Sequence, residues 1–103
     1  MSKMSKACDI SPKVKKTVYE RDNGLCVICK SQGLPNAHYI PRSKGGLGIE
    51  QNIVTLCLQC HHDYDNGGKR KDYGAMIKAY LKSQYDDWDE EKLYYNKYDW
   101  TKQ

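Results

Sequence analysis

The chain has no phenylalanine and only three prolines. No apolar run approaches the roughly 20 residues that a membrane helix needs, so no spanning helix is expected. The opening stretch, MSKMSKACDI, lacks the apolar centre of a secretory signal. A cytoplasmic location follows as the expectation. Disulfides are rare there, and paired cysteines more often mark a metal. Apolar residues make up 39% of the chain, and the mean hydropathy is −0.88. A core built from burial alone would be thin, and 103 residues leave no room for two of them.

What is present compensates for these gaps. Nine tyrosines and two tryptophans carry the aromatic load, which suits half-buried packing. Five cysteines are available as a staple. The net charge of +4 is uneven: residues 1–36 hold seven Lys and Arg against three Asp and Glu, whereas residues 76–103 hold five against six. A basic head is compatible with nucleic acid but does not single it out.

Local signals divide the chain. Residues 1–10 read as a flexible start with Cys8 as a lone thiol. In SPKVKKTVYERDNG, Ser11 is a good N-cap, Pro12 sits at the first helical position and Gly24 follows the last turn. AHYIP (37–41) and IVTLC (53–57) read as strands around a glycine-rich loop. A helix is expected from about residue 58 to Gly67 or Gly68. Another is expected over about 72–85, where Tyr73, Met76, Ile77, Tyr80 and Leu81 repeat at helical spacing. Asp89 is placed to cap a short terminal helix with a frayed end. The resulting division is a flexible 1–10, a domain over 11–68 and a helical extension over 69–103 packed on it.

Cys26-x2-Cys29 and Cys57-x2-Cys60 have the spacing that lets both sulfurs of a pair reach one tetrahedral ion. Twenty-seven residues separate the pairs, enough for a hairpin. A zinc site closed by four cysteines keeps no position for water and is therefore structural, with a binding energy on the order of 10 kcal/mol that is also folding energy. Two redox CxxC pairs are the competing reading, which predicts no bound zinc and reversible disulfides.

His61 and Asp65 are then left over. They stand four apart and share one helix face, where they can hold a divalent ion with positions open to water and phosphate. If one zinc clamps both cysteine pairs, the hairpin brings His38 beside them. A neutral imidazole that takes a proton from water, facing a metal-bound phosphate, is what phosphodiester hydrolysis requires.

The stretch CVICKSQGLPNAHYIPRSKGGLGIEQNIVTLCLQCHH resembles an HNH endonuclease domain of the zinc-stapled kind common in bacteriophages and mobile elements. The resemblance implies a small α+β protein with a ββα-metal core, a four-cysteine zinc staple and flanking helices. It makes His38 the general base, Asn52 the residue that braces the loop, and His61 a ligand of catalytic Mg2+, Mn2+ or Ni2+, with Asp65 beside it. DNA would be nicked or cut through both strands, with Arg42 and Lys44 on its phosphates. A phage terminase or another targeting protein is the partner it allows. Many relatives carry a ligand just before the base, where this chain has Ala37. That departure keeps a second function class in view, a zinc-knuckle module that binds nucleic acid without cutting it.

Overall fold

The computed structural model describes residues 3–95. Helix α1 (Lys3–Cys8) occupies most of the segment expected to be a loose start, and the Cys8 side chain at its end is 1% exposed. Local sequence holds no reason for this order. It comes from tertiary contacts, among them the Gly48 N–H donating to the Ala7 carbonyl at 3.1 Å.

Helix α2 (Pro12–Arg21) starts as its sequence dictates. The Ser11 hydroxyl accepts from the Val14 N–H at 3.2 Å, and Pro12 occupies the first turn. It ends where Asn23 and Gly24 both turn to positive φ, 56° and 67°, and the Gly24 N–H closes back on the Tyr19 carbonyl.

Strand β1 (Leu34–His38) pairs antiparallel with β2 (Ile53–Leu56), with Leu34 opposite Leu56, Ala37 opposite Val54 and His38 opposite Ile53. The register shifts between Leu34 and Ala37, next to Pro35, which has no N–H to give a ladder. The first strand ends at His38, where the sequence predicts one reaching Pro41. The physical cause is Asn52. Its side-chain oxygen accepts from the Ile40 N–H at 2.7 Å and its amide donates to the Ile40 carbonyl at 3.2 Å. A side chain thus satisfies the backbone groups that a longer strand would have paired. The glycine-rich loop forms a 3-10 turn over Arg42–Lys44 closed by Gly45 at φ 83°.

Helix α3 (Leu58–Asp65) follows β2 at once, and the Cys57 sulfur serves as its N-cap by accepting from the Cys60 N–H at 3.4 Å. Helix α4 (Arg70–Gln84) begins two residues before the expected Asp72, shortly after Gly68 at φ 84°. The expected terminal helix is a 3-10 turn, Glu90–Leu93, with the Asp89 carboxylate accepting from the Glu91 N–H. The rest of the segment read as a frayed end, residues 96–103, lies outside the described residues. No helix among the described residues is long and apolar enough to cross a membrane.

The hairpin and α3 make the ββα core expected of the fold class. Ala37, Val54 and Leu56 pack with Cys60 and Tyr64 of α3, with Ile77 and Leu81 of α4, and with Cys26. Full burial of side chains such as Ile77 and Leu81 stabilises by about 1.5–3 kcal/mol each. A polar hub ties the outer helices to the sheet. The Asp22 carboxylate accepts from Arg21 at 2.7 Å, from the Thr55 N–H at 2.9 Å and from the Tyr80 hydroxyl. Arg21 also donates to the Ile53 and Glu50 carbonyls, both at 2.8 Å. Burial works to lower the Arg21 pKa, but the hydrogen bond and charge of Asp22 outweigh it and the pKa rises.

Candidate functional site

Two turns supply the first centre. Each cysteine pair wraps a knuckle in which an N–H points at the first sulfur, Cys29 to Cys26 at 3.5 Å and Cys60 to Cys57 at 3.4 Å. The pairing of β1 with β2 then carries one knuckle to the other. One sulfur from each of Cys26, Cys29, Cys57 and Cys60 lies within 4.8 Å of all the others, and Cys29 and Cys57 are 3.6 Å apart. Four sulfurs about 2.3 Å from a tetrahedral zinc would stand about 3.7 Å from one another, so the donor set fits that ion. The Ser31 hydroxyl, 2.9 Å from the Cys29 sulfur, is the main cause that draws its pKa down to about 6. Burial pushes Cys60 the other way. A bound cation resolves that opposition by favouring all four thiolates.

The second centre is a cleft of about 340 Å3 lined by His38, Pro41, Arg42, Ser43, His61, Asp65 and Arg70. His61 and Asp65 project from one face of α3, with Nε2 and Oδ2 3.1 Å apart. Two cis ligands of an octahedral ion at about 2.1 Å stand about 3.0 Å apart, so the pair fits one divalent cation. His38 reaches the same cleft from the end of β1. Its pKa is lowered, chiefly by burial, with Arg42 adding to that effect and the Cys8 carbonyl opposing it. The ring therefore stays neutral further into acid than a free imidazole.

Asn52 does not touch the cleft. It is fully buried, and besides Ile40 its amide donates to the Leu47 carbonyl at 2.8 Å, so one side chain spans the loop that follows His38. Ala37 lies in the core cluster with Cys60 and Tyr64 and offers no donor atom. His62 is exposed on another face of α3.

The basic residues separate on inspection. Arg42 lines the cleft, but its guanidinium is paired with Asp9 at 2.8 Å and donates to the Ser5 carbonyl at 3.2 Å. Lys44 lies in an adjoining cleft of about 390 Å3 with Arg70, Lys71, Tyr39 and Tyr64. Arg70 lines both clefts, 3.6 Å from Asp65 and stacked 4.2 Å over the Tyr64 ring. Sequence reading treats Arg70 only as part of a basic run. Its signal, position i+5 from Asp65 after two glycines, has meaning only once the turn brings α4 back against α3.

A comparison with known families covers the stretch that holds both cysteine pairs, His38, His61 and Asp65. The sequence model of the family described as HNH endonuclease matches residues 26–67, from Cys26 to just past Asp65. The chain is also 37% identical over 57 residues to a protein of Nostoc sp. named anaredoxin, a match covering 53% of this chain and 75% of that relative.

Proposed function

The chain belongs to the HNH endonuclease family, and from that premise we propose that it is a metal-dependent endonuclease that hydrolyses DNA phosphodiester bonds. Members of this family are in general nucleases, and DNA is the substrate that the domain implies. The observation that carries the proposal is the meeting of three side chains in one cleft: His38 from the hairpin, His61 and Asp65 from α3. A purely structural zinc module has no use for that convergence.

In this reading His38 accepts the proton of the attacking water, and the depressed pKa keeps its ring neutral for the task. Asn52 acts at a distance by holding the turn after His38, so that the imidazole keeps its angle to the cleft. His61 and Asp65 would hold the catalytic ion, and a divalent ion bound there (Mg2+, Mn2+ or Ni2+) would supply positive charge to the phosphate and the leaving oxygen. Arg70 brings a fixed positive charge to the same cleft, where it meets the scissile phosphate. Lys44 and Lys71 extend that charge along the backbone of the strand. No long basic reading helix is present among the described residues, so a larger targeting protein such as a phage terminase is the partner we assign.

Relaxation of supercoiled plasmid by the zinc-loaded chain tests this, with Mg2+, Mn2+ or Ni2+ added, beside His38→Ala and His61→Ala. Nicking that needs the added metal and disappears in both variants is the expected result. A wild type that shifts the plasmid on a gel but never nicks it overturns the enzyme in favour of a binding module.

The name of the relative, anaredoxin, motivates a second reading in which the cysteine pairs cycle between thiol and disulfide. Four sulfurs gathered around one point with N–H groups aimed at them favour a metal instead. One zinc per chain, with none of those four thiols titratable until it is removed, would exclude the redox reading.

A further inference from the structure

His38 has two ring nitrogens, and only one can serve as a base. Nε2 lies 2.8 Å from the backbone carbonyl oxygen of Cys8. A carbonyl only accepts, so the neutral ring carries its proton on Nε2 and the lone pair on Nδ1. The carbonyl belongs to the last residue of α1, 30 residues before His38 and outside the stretch matched by the family.

Several contacts hold that carbonyl in place. The Cys8 side chain is buried, and the Gly48 N–H donates to the Ala7 carbonyl at 3.1 Å. Gly48 packs so closely that a Cβ there would overlap the Asp9 carbonyl oxygen. On the open side, Arg42 closes over the segment through its 2.8 Å pair with Asp9 and its donation to the Ser5 carbonyl. Arg42 follows His38 by four residues, so the loop after the base reaches back to clasp the segment that orients it.

We propose that residues 5–9, clasped by Arg42 on Asp9, hold His38 in the Nε2–H tautomer, and that Asp9 and Arg42 are positioning residues for the base. Arg42 is then committed to Asp9 and is not a phosphate contact. For its activity readout the proposal rests on the endonuclease reading, while the tautomer can be read without any activity. Both partners are about half exposed, so losing the pair affects the segment locally and leaves the fold intact.

The test uses the full zinc-loaded chain, labelled with 15N. Long-range 1H–15N correlation of the imidazoles, above their titration range, identifies the tautomer of His38 in the wild type, in Asp9→Asn, in Arg42→Gln and in the charge swap Asp9→Arg with Arg42→Asp. Plasmid nicking is measured on the same four proteins. The wild type should show Nε2–H. Each single variant should show mixed tautomers and lose about tenfold in kcat with KM within about twofold, a usual scale for losing an orienting partner. The swap should recover both readouts. The opposite pattern would overturn the clasp: a tautomer unchanged across the set, or Asp9→Asn lowering KM because it frees Arg42 for a phosphate. If the wild type fails to nick with every metal added, the endonuclease reading fails, and the tautomer series alone decides whether the clasp stands.

Discussion

The Tyr64 hydroxyl donates to the Tyr39 carbonyl at 2.7 Å, joining the helix that carries His61 and Asp65 to the residue after His38. Arg70 donates weakly to the same carbonyl at 3.5 Å. Tyr64→Phe keeps the ring, its packing and the stacked Arg70 while removing a direct bond between the two halves of the cleft. Stability should fall by about 1 kcal/mol, the net worth of such a hydrogen bond, as read by urea unfolding. Nicking should fall by more than that loss of folded protein explains, because in the proposed mechanism the distance from His38 to the His61–Asp65 pair loosens.

Zinc removal should abolish the fold. The described core is small, and two of its members, Cys26 and Cys60, are themselves members of the four-cysteine cluster whose sulfurs fit a metal. Chelation should release one zinc per chain and erase the cooperative thermal transition. Cys57→Ser should do the same even with zinc in excess, since it removes one of the four sulfurs while leaving a side chain able to cap α3. A chelated chain that still melts cooperatively would show the cysteine cluster to be unnecessary.

The pH profile of nicking should report His38. With His38 as the proposed base, the neutral ring is the active form, so activity should fall as pH falls through its pKa. Because that pKa is lowered, chiefly by burial, the acid limb should have its midpoint below about 6.5, the ordinary value for histidine. Stability carries the same sign. The unfolded chain takes up a proton at His38 before the folded chain does, so the stability held above about pH 6.5 is lost as pH falls through the folded value. Calorimetry of His38→Gln against the wild type, with zinc retained, should show the variant less sensitive to acid over that window.

Asp22→Ala should be among the most damaging substitutions away from the cysteine cluster and the cleft. The Asp22 side chain is fully buried, and it accepts hydrogen bonds from α2, β2 and α4 together. Its removal strands the Arg21 charge, the Thr55 N–H and the Tyr80 hydroxyl. Breaking a buried pair in this way costs about 3–5 kcal/mol. Chemical denaturation should show that loss, with zinc still bound in whatever fraction remains folded.

The legible parts of this protein were those whose physics is local. Two CxxC turns prescribe their own ligand geometry, so the cysteine cluster could be read from spacing. The helical repeat from Tyr73 to Leu81 is local as well, and so are the caps at Ser11 and Asp89. His61 and Asp65 share a face on any helix that contains both. Strand limits were less legible. The apolar run after Ala37 has the composition of a strand, but Asn52 lies 12 residues beyond Ile40 and takes over its backbone groups.

Contacts between distant segments were decided by the tertiary structure alone. Nothing within MSKMSKACDI marks Cys8 as the residue whose carbonyl meets His38, because a backbone carbonyl carries no side-chain signature. Arg42 looks like any exposed loop cation until Asp9 is found across from it, and Arg70 like part of a charge run until the Gly67–Gly68 turn folds α4 against α3. The sequence by itself determined which chemistry was available: four thiols for a staple, a His–Asp pair for an ion, a histidine for a base. Only the folded chain determined which nitrogen of that histidine is free and which arginine of the cleft is tied to Asp9, because both depend on contacts that no local pattern encodes.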